Sequence, residues 1–451
     1  MRRSPQIREY GRGKQMKKRI LSAVAFCMGI MLMLCGCDGF ITDTEKLLSP
    51  PRLTGEMQPI NEALSKSVKG DYMLVYPSSG DIRSAIALYD VDNDGVDEAF
   101  AFYSINKGDT TEMHINYIKK SGKEWSSLAD STLEAGGIEK IEFCDLDYDG
   151  TAEAVVGWQI YGESEKKLGV YSPNGKKLTE RFLEKYTNFT CGDFDEDGKG
   201  ELFLQMLDST ESKNSASIYN LSSKGINKTA GCLMDGKVKS ANAPIVSKLS
   251  SGETAIYIDE EKGAGTVTEV LIVKKGELLN PLFDGNKGEN TVTQRALSLT
   301  CADMNDDGVL EVPTSTEMPM ADKSGEKSYY INWCAFDGKT LTVKTVTLMN
   351  QPDGYYLVIS NKLFDNIALS RDIEKRTRTF FEYNRSTGKT GRKLFSVKAV
   401  EAEESETFVQ KNKNCRLILS TEETAYYAEL YEAGKEMLSI TEIQEMFKIT
   451  E

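Results

Sequence analysis

Asp193-Phe-Asp195-Glu-Asp197-Gly198-Lys199-Gly-Glu201, entered from the apolar run Phe189 to Cys191 and left through Leu202 to Met206, sets the architecture of this chain. Acidic side chains at every second position, with glycine beside the third, let a short loop curl round one hard cation and present oxygens from several sides. The pattern occurs three more times, as Asp90-Val-Asp92-Asn-Asp94-Gly-Val96-Asp-Glu98, Asp145-Leu-Asp147-Tyr-Asp149-Gly-Thr151-Ala-Glu153 and Asp303-Met-Asn305-Asp-Asp307-Gly-Val309-Leu-Glu311. A lone D-x-D-x-D-G is often only an Asx-rich turn. Four copies, each between apolar runs, indicate four sites for calcium.

In an EF-hand the closing glutamate stands at position 12 and a helix follows. Here it stands at position 9 and a strand-like run follows, so the loop joins two strands. Positions 1, 3, 5 and 9 are assigned as side-chain ligands and position 7 as a carbonyl ligand. The set is Asp90, Asp92, Asp94, Val96 and Glu98; Asp145, Asp147, Asp149, Thr151 and Glu153; Asp193, Asp195, Asp197, Lys199 and Glu201; and Asp303, Asn305, Asp307, Val309 and Glu311.

The first aspartates are 55, 48 and 110 residues apart, the last gap being twice the repeat. A copy without ligands is expected in that gap, and Thr254 to Val273, with an acidic turn at Asp259 to Gly263, is its candidate. A period of about 50 residues with several short strands per unit indicates a radial array whose blades are four-stranded sheets.

These repeats resemble the FG-GAP, or VCBS, repeats of integrin α-subunits and bacterial surface proteins over about residues 82 to 349. The resemblance implies a β-propeller, calcium held in the loop between the first and second strands of each blade, and binding rather than catalysis. The expected fold is mainly β: an FG-GAP-type propeller over 54–350, then a smaller α+β domain, or closing blades, over 351–451. Five blade-like units are visible where the family often has seven.

Lys17-Lys-Arg19, the apolar stretch Ile20 to Leu34 and Leu34-Cys35-Gly36-Cys37 describe a secretory signal over 1–36, with Met16 the expected start. The L-x-G-C ending resembles a bacterial lipobox, which implies lipidation of Cys37, a tether over 37–53, and an extracytoplasmic protein anchored to the cell membrane. Removing the first 36 residues, which carry eight basic side chains and one acidic, takes the net charge from −14 to −21. Nucleic acid is excluded as a partner on that charge.

The cysteines before the loops, Cys144, Cys191 and Cys301, are expected to be separate buried thiols. His114, the only histidine, alternates with apolar residues and is expected to be exposed on a strand. Gly388-Lys389-Thr390 lacks the upstream glycine of a phosphate loop and reads as a hairpin turn; Glu317-Met-Pro-Met320 reads as a flexible loop or a partner surface. Two functions follow: a lipid-anchored module that binds a protein or glycan with calcium in a structural role, or a calcium-dependent hydrolase or lyase acting on an envelope polymer or phosphate ester.

Overall fold

The computed structural model describes residues 57–450, apart from 109, 161–165, 223–224 and 323–324. The signal, Cys37 and the tether lie outside the described residues. Contacts divide the chain at Glu62/Ala63 into two units, and every strand among the described residues belongs to the second.

Six antiparallel sheets follow one another along the chain. The second and third are simple four-stranded meanders. One consists of Gly137–Cys144, Glu153–Gln159, Lys166–Asn174 and Lys177–Tyr186; the other of Asn188–Gly192, Glu201–Asp208, Lys213–Ser222 and Gly225–Leu233. The first sheet is built on Glu98–Lys107, Thr110–Ser121 and Glu124–Glu134, and the fourth on Thr254–Lys262 and Gly265–Lys274. The central strands are buried on both faces because apolar clusters lie on either side of them. Val156 packs toward the first sheet with Phe100, Phe102 and Ile115, whereas Val155 packs toward the third with Leu202 and Leu204. Continuous apolar runs such as Ala99 to Tyr103 are the sequence signature of such strands.

The fourth sheet departs from the expected arrangement. Thr254–Lys262 is one continuous strand, and Asp259 is buried inside it rather than placed in a turn. The position equivalent to an acidic loop is Leu249 to Glu253, between the strands Ile245–Lys248 and Thr254–Lys262. It is too short to repeat the nine-residue pattern. The run Ala296 to Ala302 is likewise not a strand; only Ala302 bridges, to Glu311.

Residues after 351 continue the same design. Tyr355–Val358 completes the fifth sheet, and the terminal strand Phe447–Ile449 pairs with it through Tyr355↔Ile449 and Leu357↔Phe447. Ile367–Asp372, Thr377–Asn384, Lys389–Glu401, Thr424–Leu430 and Cys415–Ser420 form the sixth sheet. A shared core joins the fifth and sixth sheets through Tyr330, Leu348, Leu357, Leu369 and Phe395. Asn384↔Lys389 closes the hairpin expected at Gly388. Met318 is no part of a flexible loop: it ends the strand Val312–Met318, buried in this core.

Candidate metal centres

Each acidic loop is an eight-residue connection whose ends are clamped by backbone pairing. The residue before position 1 pairs with the glutamate at position 9: Tyr89↔Glu98, Cys144↔Glu153, Gly192↔Glu201 and Ala302↔Glu311. Inside that clamp the four backbones match. Position 4 is left-handed in every loop, with φ of 53° at Asn93, 62° at Tyr148, 62° at Glu196 and 59° at Asp306. The glycine at position 6 has φ between 83° and 89°, which a side chain rarely adopts. The spacing of acids anticipates the glycine; the left-handed residue two places earlier carries no consistent type.

Hydrogen bonds repeat with the same regularity. The position 1 carboxylates of Asp90, Asp145, Asp193 and Asp303 accept the glycine N–H at 2.7–3.0 Å. The position 5 carboxylates accept the N–H of Val96, Thr151, Lys199 and Val309 at 2.8–2.9 Å. Each position 9 glutamate reaches back to the N–H of position 2 at 2.8–3.1 Å. These bonds turn the remaining carboxylate oxygens toward one point.

Convergence differs among the loops. In the third, Asp193, Asp195, Asp197 and Glu201 each bring an oxygen within 4.8 Å of all the others. The second gathers Asp145, Asp147 and Glu153 but not Asp149, and Asp145 Oδ1 and Asp147 Oδ1 are buried without a partner. The fourth gathers Asp303, Asp307 and Glu311, with Asn305 donating to Glu311 at 3.0 Å. The first gathers Asp90, Asp92 and Asp94. There the Lys119 ammonium sits among the carboxylates, bonding to Asp92 and lying 3.0 Å from Glu98 and 3.8 Å from Asp94.

Burial pushes the carboxyl groups of Glu153 and Glu201 up to about 7, and raises those of Glu98 and Glu311. Three or four converging carboxylates beside a buried glutamate are a donor set that suits a hard divalent cation, and in the second loop two of the oxygens have no other partner. Neighbouring sheets are tied at these loops, since Ala152 N donates to Val91 O at 2.7 Å and Leu221 N to Leu146 O at 2.9 Å.

Other side chains lie elsewhere than their local pattern suggests. His114 is buried, not exposed. Its ring stacks on Tyr103 at 4.5 Å, Nδ1 is 2.6 Å from Asp130, and Nε2 is 3.2 Å from Glu112. Both nitrogens therefore face carboxylates, and no Ser or Cys nucleophile accompanies them among these contacts. Cys144 and Cys191 meet across the second and third sheets: a hydrogen bond between the two thiols, with burial, holds that of Cys191 well above its ordinary value. All three cysteines are free thiols as expected, Cys301 buried and the other two half-buried, and Cys144 and Cys191 come together because the strands leading into adjacent loops converge at the sheet interface.

No protein-family profile matches the chain, and no curated protein matches it by sequence. Among solved structures, a rhamnogalacturonan lyase of Bacillus licheniformis aligns at 13 % identity and a TM-score of 0.30, covering 64 % of this chain and 67 % of that one. A periplasmic gluconolactonase of Pseudomonas aeruginosa aligns at 10 % and 0.26, covering 66 % and 82 %, and Sqt1 of Chaetomium thermophilum at 10 % and 0.31, covering 71 % and 73 %. Scores this low carry no argument about what the chain does.

Proposed function

We propose that the chain is a lipid-anchored, extracytoplasmic β-propeller of the FG-GAP type, in which calcium in four loops braces consecutive blades and the assembled surface binds a protein or glycan. The observation that supports it most is the identical backbone of the four loops, each aiming carboxylates at one point. Calcium is structural in this reading, because the first three loops hydrogen-bond or pack onto the next sheet: Glu196, in the third, accepts from the Thr254 N–H at 3.1 Å. The acids with metal spacing are thereby occupied, and His114 is closed off between two carboxylates. Both facts favour binding over hydrolysis.

Extracellular calcium modules bind with dissociation constants of about 10⁻⁴ to 10⁻³ M. Titrating the chelated protein with calcium by calorimetry should give about four sites in that range. Absence of calcium binding up to about 10 mM would overturn the proposal. Labelling of the growing cell with palmitate, compared with Cys37→Ala, tests the anchor separately.

A further inference from the structure

Between the fifth and sixth sheets lies a cleft of about 360 Å³, within the size range of small-molecule sites. Its polar lining is Lys327, Arg371, Arg378, Ser328, Tyr329 and Gln351, and no Asp or Glu is among the described residues that line it. Lys327 pairs with Glu317 at 2.6 Å outside the lining, yet a pocket walled by three cationic side chains and no acid is out of keeping with a chain of net charge −14.

The arginines are not placed there by chance of surface composition. Arg371 and Arg378 are direct cross-strand partners in the hairpin of Ile367–Asp372 and Thr377–Asn384, so two like charges stand on one face of the sheet. That pairing destabilises a sheet unless something neutralises it. Glu326 meets Arg371 at 2.6 Å through one terminal nitrogen, while Arg371 Nε is buried without a partner. Arg378 donates to Asn350 Oδ1 at 2.7 Å, and no carboxylate lies within ion-pair distance of it among the described residues. Burial lowers its affinity for its own proton and the neighbouring Arg371 adds to this, against opposing contributions from Tyr355 and Asp353. A second cleft of about 310 Å³ shares Pro352, Arg371 and Arg378, so the pair forms the wall between two openings.

We propose that this cleft binds an oxyanion, a carboxylate or phosphate carried on a body the size of a monosaccharide, with Arg371 and Arg378 as its clamp and Lys327 at the rim. Planar guanidinium groups supply paired N–H donors matched to such an anion, and the apolar side of the cleft, including Leu297 and Met349, receives the rest of the ligand. None of the residues that line the cleft is a ligand position of an acidic loop, and the arginine pair stands on the sixth sheet, which carries no such loop.

The test is calorimetric titration of the full chain in calcium-containing buffer with glucuronate, glucose 6-phosphate, inorganic phosphate and glucose. At least one oxyanion should saturate the protein while glucose does not, and the contrast between glucuronate and the phosphates identifies which anion fits. Arg378→Gln and Arg371→Gln should each weaken binding at least about tenfold, whereas Arg385→Gln, an exposed arginine paired with Asp365, should change it less than about twofold. Melting curves of each variant confirm folding, and Arg371→Gln carries the test if Arg378→Gln does not fold. No saturation by any of the three anions at about 10 mM, equal binding of glucose, or unchanged affinity in both folded variants would overturn the assignment. None of these outcomes alters the calcium titration, so the two readings fail separately.

Discussion

Replacing Asp195 by alanine separates a metal ligand from a structural acid. In the third loop Asp193 holds the N–H groups of Asp197 and Gly198 at 3.1 and 2.9 Å, and Asp197 holds that of Lys199 at 2.9 Å. Asp195 makes only a long 3.3 Å contact to Asp197 N, so its removal costs the turn little while taking one of four converging carboxylates. A site filled at ten times its dissociation constant stabilises the fold by about 1.4 kcal/mol, and four such sites by about 5–6 kcal/mol. With an unfolding entropy of about 2.1 cal/mol/K per residue over roughly 390 residues, or about 0.8 kcal/mol/K, one site is worth about 2 °C and four about 7 °C. Scanning calorimetry in calcium and in chelator should therefore show wild type losing about 7 °C on chelation and Asp195→Ala losing about 5 °C. In chelator the two proteins should melt together. If Asp195→Ala is destabilised equally with and without calcium, the residue serves the turn rather than an ion. If wild type melts at one temperature in both buffers, the calcium reading is wrong.

In the first loop Lys119→Met removes the ammonium that calcium must displace, and should tighten that site by about 1 kcal/mol, roughly fivefold, read as one affinity among four by calorimetry. At the interface of the third and fourth sheets, Glu260 Oε1 accepts from Gln205 and Asn214 while Oε2 is buried without a partner, and burial with Glu269 nearby raises its carboxyl well above 4.5. The folded state thus prefers the neutral acid: this contribution is complete below about pH 4.5 and is lost as pH rises through the elevated value. Glu260→Gln should lose that dependence and be more stable than wild type at pH 8 by about 1–3 kcal/mol in urea titrations, and a pH-independent difference would contradict it. Arg295 is fully buried against Asp259 at 2.9 Å, so Arg295→Met should cost about 3–5 kcal/mol, with Asp259→Asn added to it recovering part of the loss in a double-mutant cycle.

The acidic loops were legible because their acids and glycine recur at fixed local intervals, and nothing distant is needed to recognise them. Asp259 shows the limit of that logic. Its neighbours Glu260, Glu261 and Gly263 look locally like a worn acidic turn, but its partner is Arg295, 36 residues on, and a buried pair of that separation leaves no periodic trace. His114 misled for a related reason. Alternation along Met113 to Tyr117 correctly indicates a strand, yet its outward-looking positions are also interior, and Asp130 and Glu112 on either side explain a polar ring there.

The region after residue 351 follows from the same limit. Its individual strands were visible as apolar runs at Tyr355 to Ser360, Arg376 to Tyr383 and Lys393 to Val400, and the helix Ile440–Met446 begins at a capping box on Ser439 and Glu442. What the loss of the acidic pattern concealed was which sheet each strand joins. Metal-loop spacing tracks only the first hairpin of a unit, whereas sheet membership is set by long pairings such as Tyr355↔Ile449, where the chain end returns to a strand nearly a hundred residues earlier. A unit that has no ion to hold needs no acidic signature, but it still has to cover its neighbour's apolar face. Leu369, Phe380, Phe395 and Val397 do so against Tyr330, Leu348 and Leu357. The arginine pair sits at the edge of this junction, where the sixth sheet presents cations in place of the carboxylates that line the acidic loops of the first, second, third and fifth sheets.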